Sequence, residues 1–310
     1  MIIDWHSHWI PPALLARVAG LRQQELAPEF SDLEARLRHM DEAGVTRQVI
    51  SWPTTFGFDA LLPLAELTAF YRQFNDRLGE LLARHPDRFS GLAAVPALDP
   101  EAAAAELTRA QAACGTIGAV IPADAFLTEK GAELYRPLLA QAQALRSHLY
   151  VHPGPTGLKV PAHVPIEFLR TDRGSARWLL ESGTRLGAAA LTLETSPFLG
   201  GYPGVTVHVS MLGGHLPWIA ETLALREKAA PAGPLWPLRK IYVDTGILKP
   251  GGLAIAHAVA VFGADRILFG SDFPQFGTRR PGDAFLESGL PLENREQILF
   301  RNGETLLAAR

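Results

Sequence analysis

Two histidines near the start of the sequence have the type and spacing of metal ligands. An apolar run leads into residues 4–8, Asp-Trp-His-Ser-His, so His6 and His8 stand two positions apart. Side chains two residues apart on a β-strand point to the same side, and neutral imidazole is a common ligand for divalent metals such as zinc. The pair therefore predicts a metal site where the first strand ends, with two surface histidines on an N-terminal strand as the alternative.

Two further candidate ligands follow later apolar runs. His152 ends the run Leu-Tyr-Val-His and precedes a proline, and Asp272 follows Ile-Leu-Phe-Gly-Ser. Taken singly, this histidine could cap a strand and this aspartate could anchor a turn. Together with His6 and His8 they offer three imidazoles and one carboxylate, the donor set of a catalytic zinc site with water in an open position. Asp272 is a candidate ligand, a candidate general base, or both.

The expected site contains one divalent ion and a supporting carboxylate. Zn²⁺ is the preferred ion, while Mn²⁺, Co²⁺ and Fe²⁺ are compatible with the same nitrogen and oxygen donors. Asp4 lies by strand parity on the same side as His6 and His8, one step deeper. We expect Asp4 to orient a ligand histidine through a hydrogen bond; the alternative is a buried carboxylate satisfied by backbone amides.

Eight short apolar runs that alternate with helical patterns must position these residues. They cover residues 2–6, 46–51, 89–95, 116–121, 148–152, 205–211, 241–244 and 266–270. Strands that alternate with helices predict right-handed βαβ units and a parallel sheet. Eight units in this length fit one α/β domain, residues 1–310, folded as a (β/α)₈ barrel whose site lies at the strand carboxyl ends. A doubly wound sheet is the rival, but no Gly-x-Gly-x-x-Gly motif opens the first helix.

Composition narrows the class of protein. The 310 residues are 47% hydrophobic and 20% charged, which supports a sizeable core. The net charge of −3 without a basic block argues against nucleic acid or an anionic membrane as a partner. The sequence has neither a signal-peptide pattern nor a membrane-length apolar run, and Cys114 has no cysteine to pair with. These features lead us to expect a cytoplasmic protein with a small-molecule substrate.

Several segments repeat the pattern of a known family, and they span nearly the whole chain: IIDWHSH, MDEAGVTRQVIS, HPDRFSGLAAVP, GAVIP, LYVHPG, LGGHLP, IYVDTG, RILFGSDFP and ILFRNGETLL. They resemble the amidohydrolase-related family, amidohydrolase family 2, which includes aminocarboxymuconate-semialdehyde decarboxylase and assorted hydrolases. The resemblance implies a distorted (β/α)₈ TIM barrel and a metal that is usually zinc. It also implies His6, His8, His152 and Asp272 as the metal ligands.

One position departs from the family pattern. Decarboxylases of this family usually carry a histidine at the end of the sixth strand, before a Gly-Gly turn, where this chain has Met211. Methionine offers no proton and is a poor ligand for a hard or borderline ion. His215 could swing over the metal from the loop and is the first acid/base candidate. His208 is the second, although its strand parity relative to Met211 predicts that it faces the helices.

Substrate-binding candidates come from residues that follow the predicted strands. Trp9, Trp52 and Phe273 could line an apolar or aromatic pocket, with packing beneath the loops as the alternative. Arg279 lies in the long loop after Asp272 and could hold a substrate carboxylate, with a solvated surface position as the alternative.

The missing histidine favours hydrolysis as the leading hypothesis. A metal-activated water and Asp272 suffice to hydrolyse a small cyclic or carboxylated molecule such as an amide or lactone. The alternative is a metal-dependent decarboxylase or other carbon–carbon lyase acting on an aromatic or unsaturated acid. A third reading is a barrel that binds a ligand without catalysis. A homodimer is the default assembly, since closed two-fold assemblies are common.

Overall fold

Short strands and longer helices alternate along the chain. A computed structural model describes residues 1–23, 25–158, 174–227, 238–246, 251–275 and 282–310. Within these ranges the strands are β1 (Ile3–His8), β2 (Arg47–Ser51), β3 (Phe89–Gly91), β4 (Ala93–Ala94), β5 (Gly118–Pro122), β6 (His148–His152), β7 (Thr206–Val209), β8 (Tyr242–Asp244) and β9 (Ile267–Leu268).

The helices surround the strands and follow them in sequence. They are α1 (Pro12–Arg22), α2 (Leu33–Ala43), α3 (Phe58–Leu61), α4 (Leu64–Arg84), α5 (Pro100–Cys114), α6 (Glu129–Glu133), α7 (Arg136–Ala144), α8 (Gly174–Thr195), α9 (Leu216–Glu227), α10 (Gly252–Phe262), α11 (Gly282–Glu287), α12 (Leu292–Glu296) and α13 (Asn302–Ala308). Among the described residues, no helix combines the length and the apolar character that a membrane crossing would need.

All strand pairs are parallel and follow the order of the sequence. One sheet has the order β1-β2-β3 and the other runs from β4 to β9. β3 and β4 are two parts of the strand predicted at 89–95, separated by Leu92, whose N–H donates to the Ile50 carbonyl at 2.8 Å. The described strands therefore occupy the eight positions that the sequence predicts.

Hydrogen bonds bring the first and last strands together. The Trp5 N–H donates to the Phe269 carbonyl, the Asp272 N–H to the His6 carbonyl, and the His8 N–H to the Phe273 carbonyl, each at 2.8 Å. These bonds complete the (β/α)₈ barrel, which confirms the predicted fold. Because the strands are parallel, their carboxyl ends meet at one mouth.

Strand alternation divides the side chains between two environments. On β6, Leu149 and Val151 pack in the apolar core beneath the helices, while the rings of Tyr150 and His152 lie beside His6 inside the barrel. The helical side is apolar because helices such as α4 bury one face against the sheet. The barrel interior, by contrast, holds a group of buried polar side chains.

A buried carboxylate at the start of the α3–α4 unit makes stability depend on pH. Asp59 accepts hydrogen bonds from the Tyr71 hydroxyl at 2.6 Å and from the Ala97 N–H at 2.7 Å. Burial raises the pKa of Asp59 from 3.8 to about 7, even though these hydrogen bonds act in the opposite direction. The folded chain therefore keeps a proton that the unfolded chain releases between these values.

We expect Asp59→Asn to weaken this pH dependence. As pH rises from 5 to 7, the wild-type free energy of unfolding falls by up to about 1.4 kcal/mol per pH unit through this group. Asparagine cannot titrate, so the variant should lose less stability over the same range. Urea unfolding of both proteins at pH 5, 6, 7 and 8 measures the difference. If the free energies of unfolding of the two proteins change with pH in the same way, Asp59 is not the group that titrates.

Candidate metal centre

Three histidines from two strands meet at the mouth of the barrel. Nε2 of His6 lies 3.2 Å from Nε2 of His8, and one ring nitrogen from each of His6, His8 and His152 lies within 4.8 Å of the others. All three side chains are buried. β1 supplies the first two from positions i and i+2, and β6 supplies the third. The structure thus brings together the three imidazoles that the sequence analysis selected.

Asp272 lies against this group of histidines. Its Oδ1 is 3.3 Å from Nε2 of both His6 and His8. The residue has φ 57°, in the left-handed region, and the hydrogen bond from its N–H to the His6 carbonyl holds this conformation in place. We refer to His6, His8, His152 and Asp272 as the donor cluster. Its carboxylate is 11% exposed, against 1% for the side chains of His6 and His8.

Each histidine of the donor cluster has an acceptor at Nδ1. Nδ1 of His6 lies 3.0 Å from Asp244 Oδ1, and Nδ1 of His8 lies 3.3 Å from the Ser51 carbonyl. Nδ1 of His152 lies 2.8 Å from Thr54 Oγ1, whose own proton is directed at the Pro153 carbonyl, also at 2.8 Å. Protons on the three Nδ1 atoms satisfy these acceptors, so each Nε2 can serve as a metal donor when it carries no proton of its own.

This donor set fits a divalent metal ion. Neutral imidazole nitrogens and one carboxylate, each oriented by a further hydrogen bond, are the usual composition of such sites. The described residues therefore support the prediction of a divalent-metal site.

Among the three histidines of the donor cluster, His6 is the one that carries a positive charge. Burial acts to lower its pKa, but the carboxylates of Asp244 and Asp272 outweigh burial and raise the pKa to about 10. Burial lowers the pKa of His8, and burial with the neighbouring His8 lowers the pKa of His152 far below its usual value. His8 and His152 are thus neutral at pH 7, and an ion that binds Nε2 of His6 must displace a proton there.

Asp244 is a site residue that the sequence analysis missed. Besides His6, its Oδ1 faces the N–H groups of Gly246 at 2.8 Å and Met211 at 3.3 Å. The signal was present, because Asp244 ends the strand predicted at 241–244. The rule that selected His152, a polar residue at a strand's carboxyl end, would have selected it too.

Glycines leave the space that the His6 ring occupies. A Cβ atom on Gly246 would lie 2.0 Å from His6 Nδ1, and one on Gly270 would lie 2.6 Å from His6 Cβ. A side chain at either position must therefore displace the histidine or its strand.

We expect Gly246→Ala to weaken metal binding about tenfold or more, because it moves His6 away from its acceptor. Electron paramagnetic resonance measures free Mn²⁺ directly and gives the dissociation constant. Gly201→Ala is the matched control, since a Cβ there meets nothing within 4 Å. Equal affinities for the two variants would show that His6 does not need this space.

The Asp4 carboxylate binds the backbone of the first strand and not a ligand imidazole. It accepts from the His6 N–H at 3.1 Å, the Gln48 amide at 2.9 Å, and the Ser271 hydroxyl at 2.6 Å. The expected bond to a ligand imidazole is instead made by Asp244. The pairing of β1 with β2 shifts register between Asp4 and Ser7. The side on which Asp4 lies therefore cannot be counted from His6 and His8 by strict alternation. Asp4 ties β1 to the residue that precedes Asp272.

The predicted orientation of His208 is wrong. Its ring faces the barrel interior, stacked on Tyr150 at 4.0 Å and 8°, with Nε2 3.3 Å from Asp244 Oδ2. The physical reason is that β7 ends at Val209, and Met211 has φ 55° in a tight turn. Strand parity therefore cannot be counted through to Met211, which is itself buried in the apolar core.

The structure brings His215 to the outer wall of the barrel. Its N–H donates to the Gly183 carbonyl at 2.9 Å, and Nδ1 lies 3.3 Å from Thr184 Oγ1, both on α8. Gly214, with φ 61°, turns the chain outward before α9 begins. The prediction that His215 swings over the metal is therefore wrong, because its ring packs against α8.

The tryptophans proposed for the substrate pocket belong to the core. Trp52 is fully buried, and its ring lies 5.2 Å from Phe70 and 5.4 Å from Phe74 on α4. Trp9 is buried in the same apolar cluster. Each tryptophan directly follows a residue that faces inward, so alternation directs it toward the helices.

Phe273 follows Asp272 and also packs away from the donor cluster. Its ring contacts the Arg36 guanidinium, 4.7 Å from the ring centre, and the His39 ring at 4.5 Å. It is buried and helps to fix the turn that carries Asp272. Arg279, the proposed carboxylate-binding residue, lies outside the described residues.

Comparisons with known proteins agree with the fold and correct the reaction. The family model described as Amidohydrolase (Amidohydro_2) matches residues 3–308. Gamma-resorcylate decarboxylase of Polaromonas sp. strain JS666 is 28% identical over 301 residues, which cover 91% of this chain and 89% of that protein. The match to a decarboxylase over this length contradicts hydrolysis, the leading hypothesis from the sequence.

Solved structures resemble the barrel over almost its whole length. 5-Carboxyvanillate decarboxylase from Sphingomonas paucimobilis superposes with a TM-score of 0.78 at 17% identity, covering 99% of this chain and 98% of that one. Dihydroxybenzoic acid decarboxylase from Polaromonas sp. JS666, with bound manganese and the inhibitor 2-nitroresorcinol, gives a TM-score of 0.75 at 24% identity, covering 99% and 96%. At these identities the structural matches establish the fold.

Proposed function

Because this chain belongs to the amidohydrolase family, we propose that it is a metal-dependent decarboxylase that acts on a small aromatic carboxylic acid. The observation that carries the proposal is the buried donor cluster of His6, His8, His152 and Asp272 in a chain whose full-length relatives are decarboxylases. We assign all four residues as ligands of one divalent ion.

Manganese and zinc are the ions to test first. The similar decarboxylase from Polaromonas contains manganese, and imidazole with carboxylate is also a zinc donor set. When bound, a divalent ion supplies a Lewis acid that polarises substrate oxygens. The protein's part is to hold three imidazoles with their Nε2 atoms directed at one point, where His6 gives up its proton when the ion binds.

The reaction needs a group that supplies a proton to the ring carbon. As carbon dioxide leaves, the electron pair of the broken carbon–carbon bond stays on the ring, and one proton must replace the carboxyl group. We assign this proton transfer to Asp272, the more exposed partner of its contacts with His6 and His8. Its carboxylate, whose pKa the two histidines lower against the effect of burial, would take a proton from solvent and pass it to the ring carbon. Met211 carries no transferable proton, and His208 is fully buried beneath the donor cluster.

The substrate class follows from the same chemistry. A ring hydroxyl beside the carboxyl group raises electron density at the carbon that is protonated, as in gamma-resorcylate, the substrate named for one relative. A cavity of about 290 Å³ lined by Pro153, Gly154 and Trp178 of α8 lies beside the segment that follows His152, and its lining includes no residue of the donor cluster.

The test is release of carbon dioxide by ion-loaded protein. Protein freed of metal with a chelator is reloaded with Mn²⁺ or Zn²⁺ and incubated with hydroxylated benzoic acids, including 2,6-dihydroxybenzoate. In D₂O, the product should carry deuterium at the position that the carboxyl group has left. Failure of ion-loaded protein to release carbon dioxide from any acid of the panel would contradict the proposal.

A further inference from the structure

A row of buried polar side chains runs through the barrel interior to the donor cluster. Thr206 Oγ1 lies 2.8 Å from His148 Nδ1, and His148 Nε2 lies 2.5 Å from His208 Nδ1. His208 Nε2 lies 3.3 Å from Asp244 Oδ2, an electrostatic contact in which neither atom has a hydrogen-bond partner among the described residues. Asp244 Oδ1 then meets His6 Nδ1 at 3.0 Å. These five residues, which we call the interior row, link β6, β7, β8 and β1.

The carboxylate of Asp244 fixes where the protons of the interior row lie. An ionised carboxylate only accepts hydrogen bonds, so both histidines that face it must present N–H groups. His208 therefore carries its proton on Nε2, and its Nδ1 must accept from Nε2–H of His148. His148 Nδ1 in turn accepts from the Thr206 hydroxyl.

The surroundings of the interior row support this arrangement. Burial lowers the pKa of His208 and, more strongly, that of His148, so both rings are neutral at pH 7. The guanidinium of Arg310 donates to Thr206 Oγ1, which leaves the Thr206 proton free to point toward His148. Tyr150 stacks on the flat face of His208 and limits its rotation.

We propose that His208 is a positioning residue for the metal site, acting through Asp244. Its Nε2–H faces Oδ2 of Asp244 at 3.3 Å and attracts it electrostatically, so that Oδ1 stays directed at Nδ1 of His6 and His6 Nε2 points into the donor cluster. The inference rests on the metal site of the proposed function, and it is independent of which reaction the site catalyses.

Removal of His208 frees one oxygen of a buried carboxylate. The Asp244 carboxylate can then rotate so that Oδ2 approaches another donor, such as the Gly246 N–H that already faces Oδ1. The ring of His6 loses a fixed acceptor and can turn or exchange its tautomer. We therefore expect the ion to bind more weakly, because residues that hydrogen-bond to ligand histidines usually contribute tenfold or more to metal affinity.

Three variants separate positioning from packing. His208→Phe keeps a flat ring against Tyr150 but removes both nitrogens. His208→Gln restores an N–H donor and a carbonyl acceptor. Val209→Ala is the matched control, since Val209 is equally buried on the same strand but lies in the apolar core under the helices.

The experiment is a Mn²⁺ titration of each metal-free protein followed by electron paramagnetic resonance, with the melting temperature of each metal-free protein recorded in parallel. We expect the Mn²⁺ dissociation constant to rise about tenfold in His208→Phe and to recover most of this loss in His208→Gln. Val209→Ala should melt earlier yet bind Mn²⁺ as the wild type does.

Each result has a distinct meaning. Wild-type Mn²⁺ affinity in His208→Phe would overturn the positioning role and leave the proposed function intact. The same loss of affinity in Val209→Ala would also overturn it, because packing alone would then explain the effect. A wild-type protein that binds neither Mn²⁺ nor Zn²⁺ would overturn this inference and the proposed function together.

Discussion

Asp272→Asn should lower the rate of decarboxylation by about 10²- to 10⁴-fold, the range expected when a proton-transferring side chain is lost. The carboxylate lies 3.3 Å from Nε2 of both His6 and His8, so it faces the point where the assigned ligands would hold the ion. An amide cannot deliver a proton to the ring carbon. Carbon dioxide release by ion-loaded protein under substrate saturation measures the effect.

Asparagine is the appropriate replacement because of the backbone at this position. Asp272 has φ 57°, and asparagine is among the residues that tolerate the left-handed region best. The substitution therefore changes charge and proton content with little backbone strain. Elemental analysis of the reloaded variant separates a loss of chemistry from a loss of metal.

Asp41→Asn provides a matched control for the Asp272 experiment. Asp41 lies on α2 with an exposed carboxylate that pairs with Arg88, and an exposed ion pair of this kind contributes little to stability. We expect its activity to equal that of the wild type. If Asp272→Asn retains its metal and turns over within about threefold of the wild type, Asp272 is not the proton carrier.

The sequence was sufficient for the fold and for the residues that meet at the mouth. Parallel strands have their carboxyl ends on one side, so His6, His8, His152 and Asp272 could be grouped without knowing any distance. The same rule, applied to the strand that ends at Asp244, would have added Asp244. It could not identify Thr54, because Thr54 lies after the end of β2, and only the folded chain shows that its hydroxyl accepts a hydrogen bond from His152.

Residues next to the site in sequence were harder to predict than residues within it. Trp52 follows the last residue of β2, and the alternation of extended chain turns it away from the cluster. Phe273 follows Asp272, whose left-handed backbone breaks the alternation, so only the folded chain shows where its ring packs. His208 was assigned to the wrong face because parity was counted through Met211, which has a left-handed backbone. Local conformations of this kind depend on tertiary contacts, which periodicity alone does not contain.

The reaction could not be read from the donor cluster. The same ligands serve hydrolysis and decarboxylation, because a Lewis acid can activate either water or a substrate oxygen. The absence of a histidine at Met211 suggested hydrolysis, but it removes only one of the possible proton donors. Asp272 supplies another, so the missing side chain did not discriminate between the reactions.

His152→Ala should abolish stabilisation of the protein by its metal ion. An ion at 100 times its dissociation constant adds about 2.7 kcal/mol to the free energy of unfolding, which corresponds to a rise in melting temperature of about 4 °C for a chain of 310 residues. Removal of His152 leaves three of the four assigned ligands and lowers the affinity, so the same ion concentration is no longer a large multiple of the dissociation constant. Calorimetry with and without Mn²⁺ measures the shift.

The loss must be distinguished from simple destabilisation by the His152 substitution. Thr54 retains the Pro153 carbonyl as a partner at 2.8 Å when the imidazole is removed, so we expect the metal-free variant to remain folded. His85→Ala, at the half-buried end of α4, controls for the loss of a histidine elsewhere and should keep the full shift. An equal Mn²⁺-induced shift in His152→Ala would exclude His152 as a ligand, since an ion stabilises the folded state only through contacts that the unfolded chain lacks.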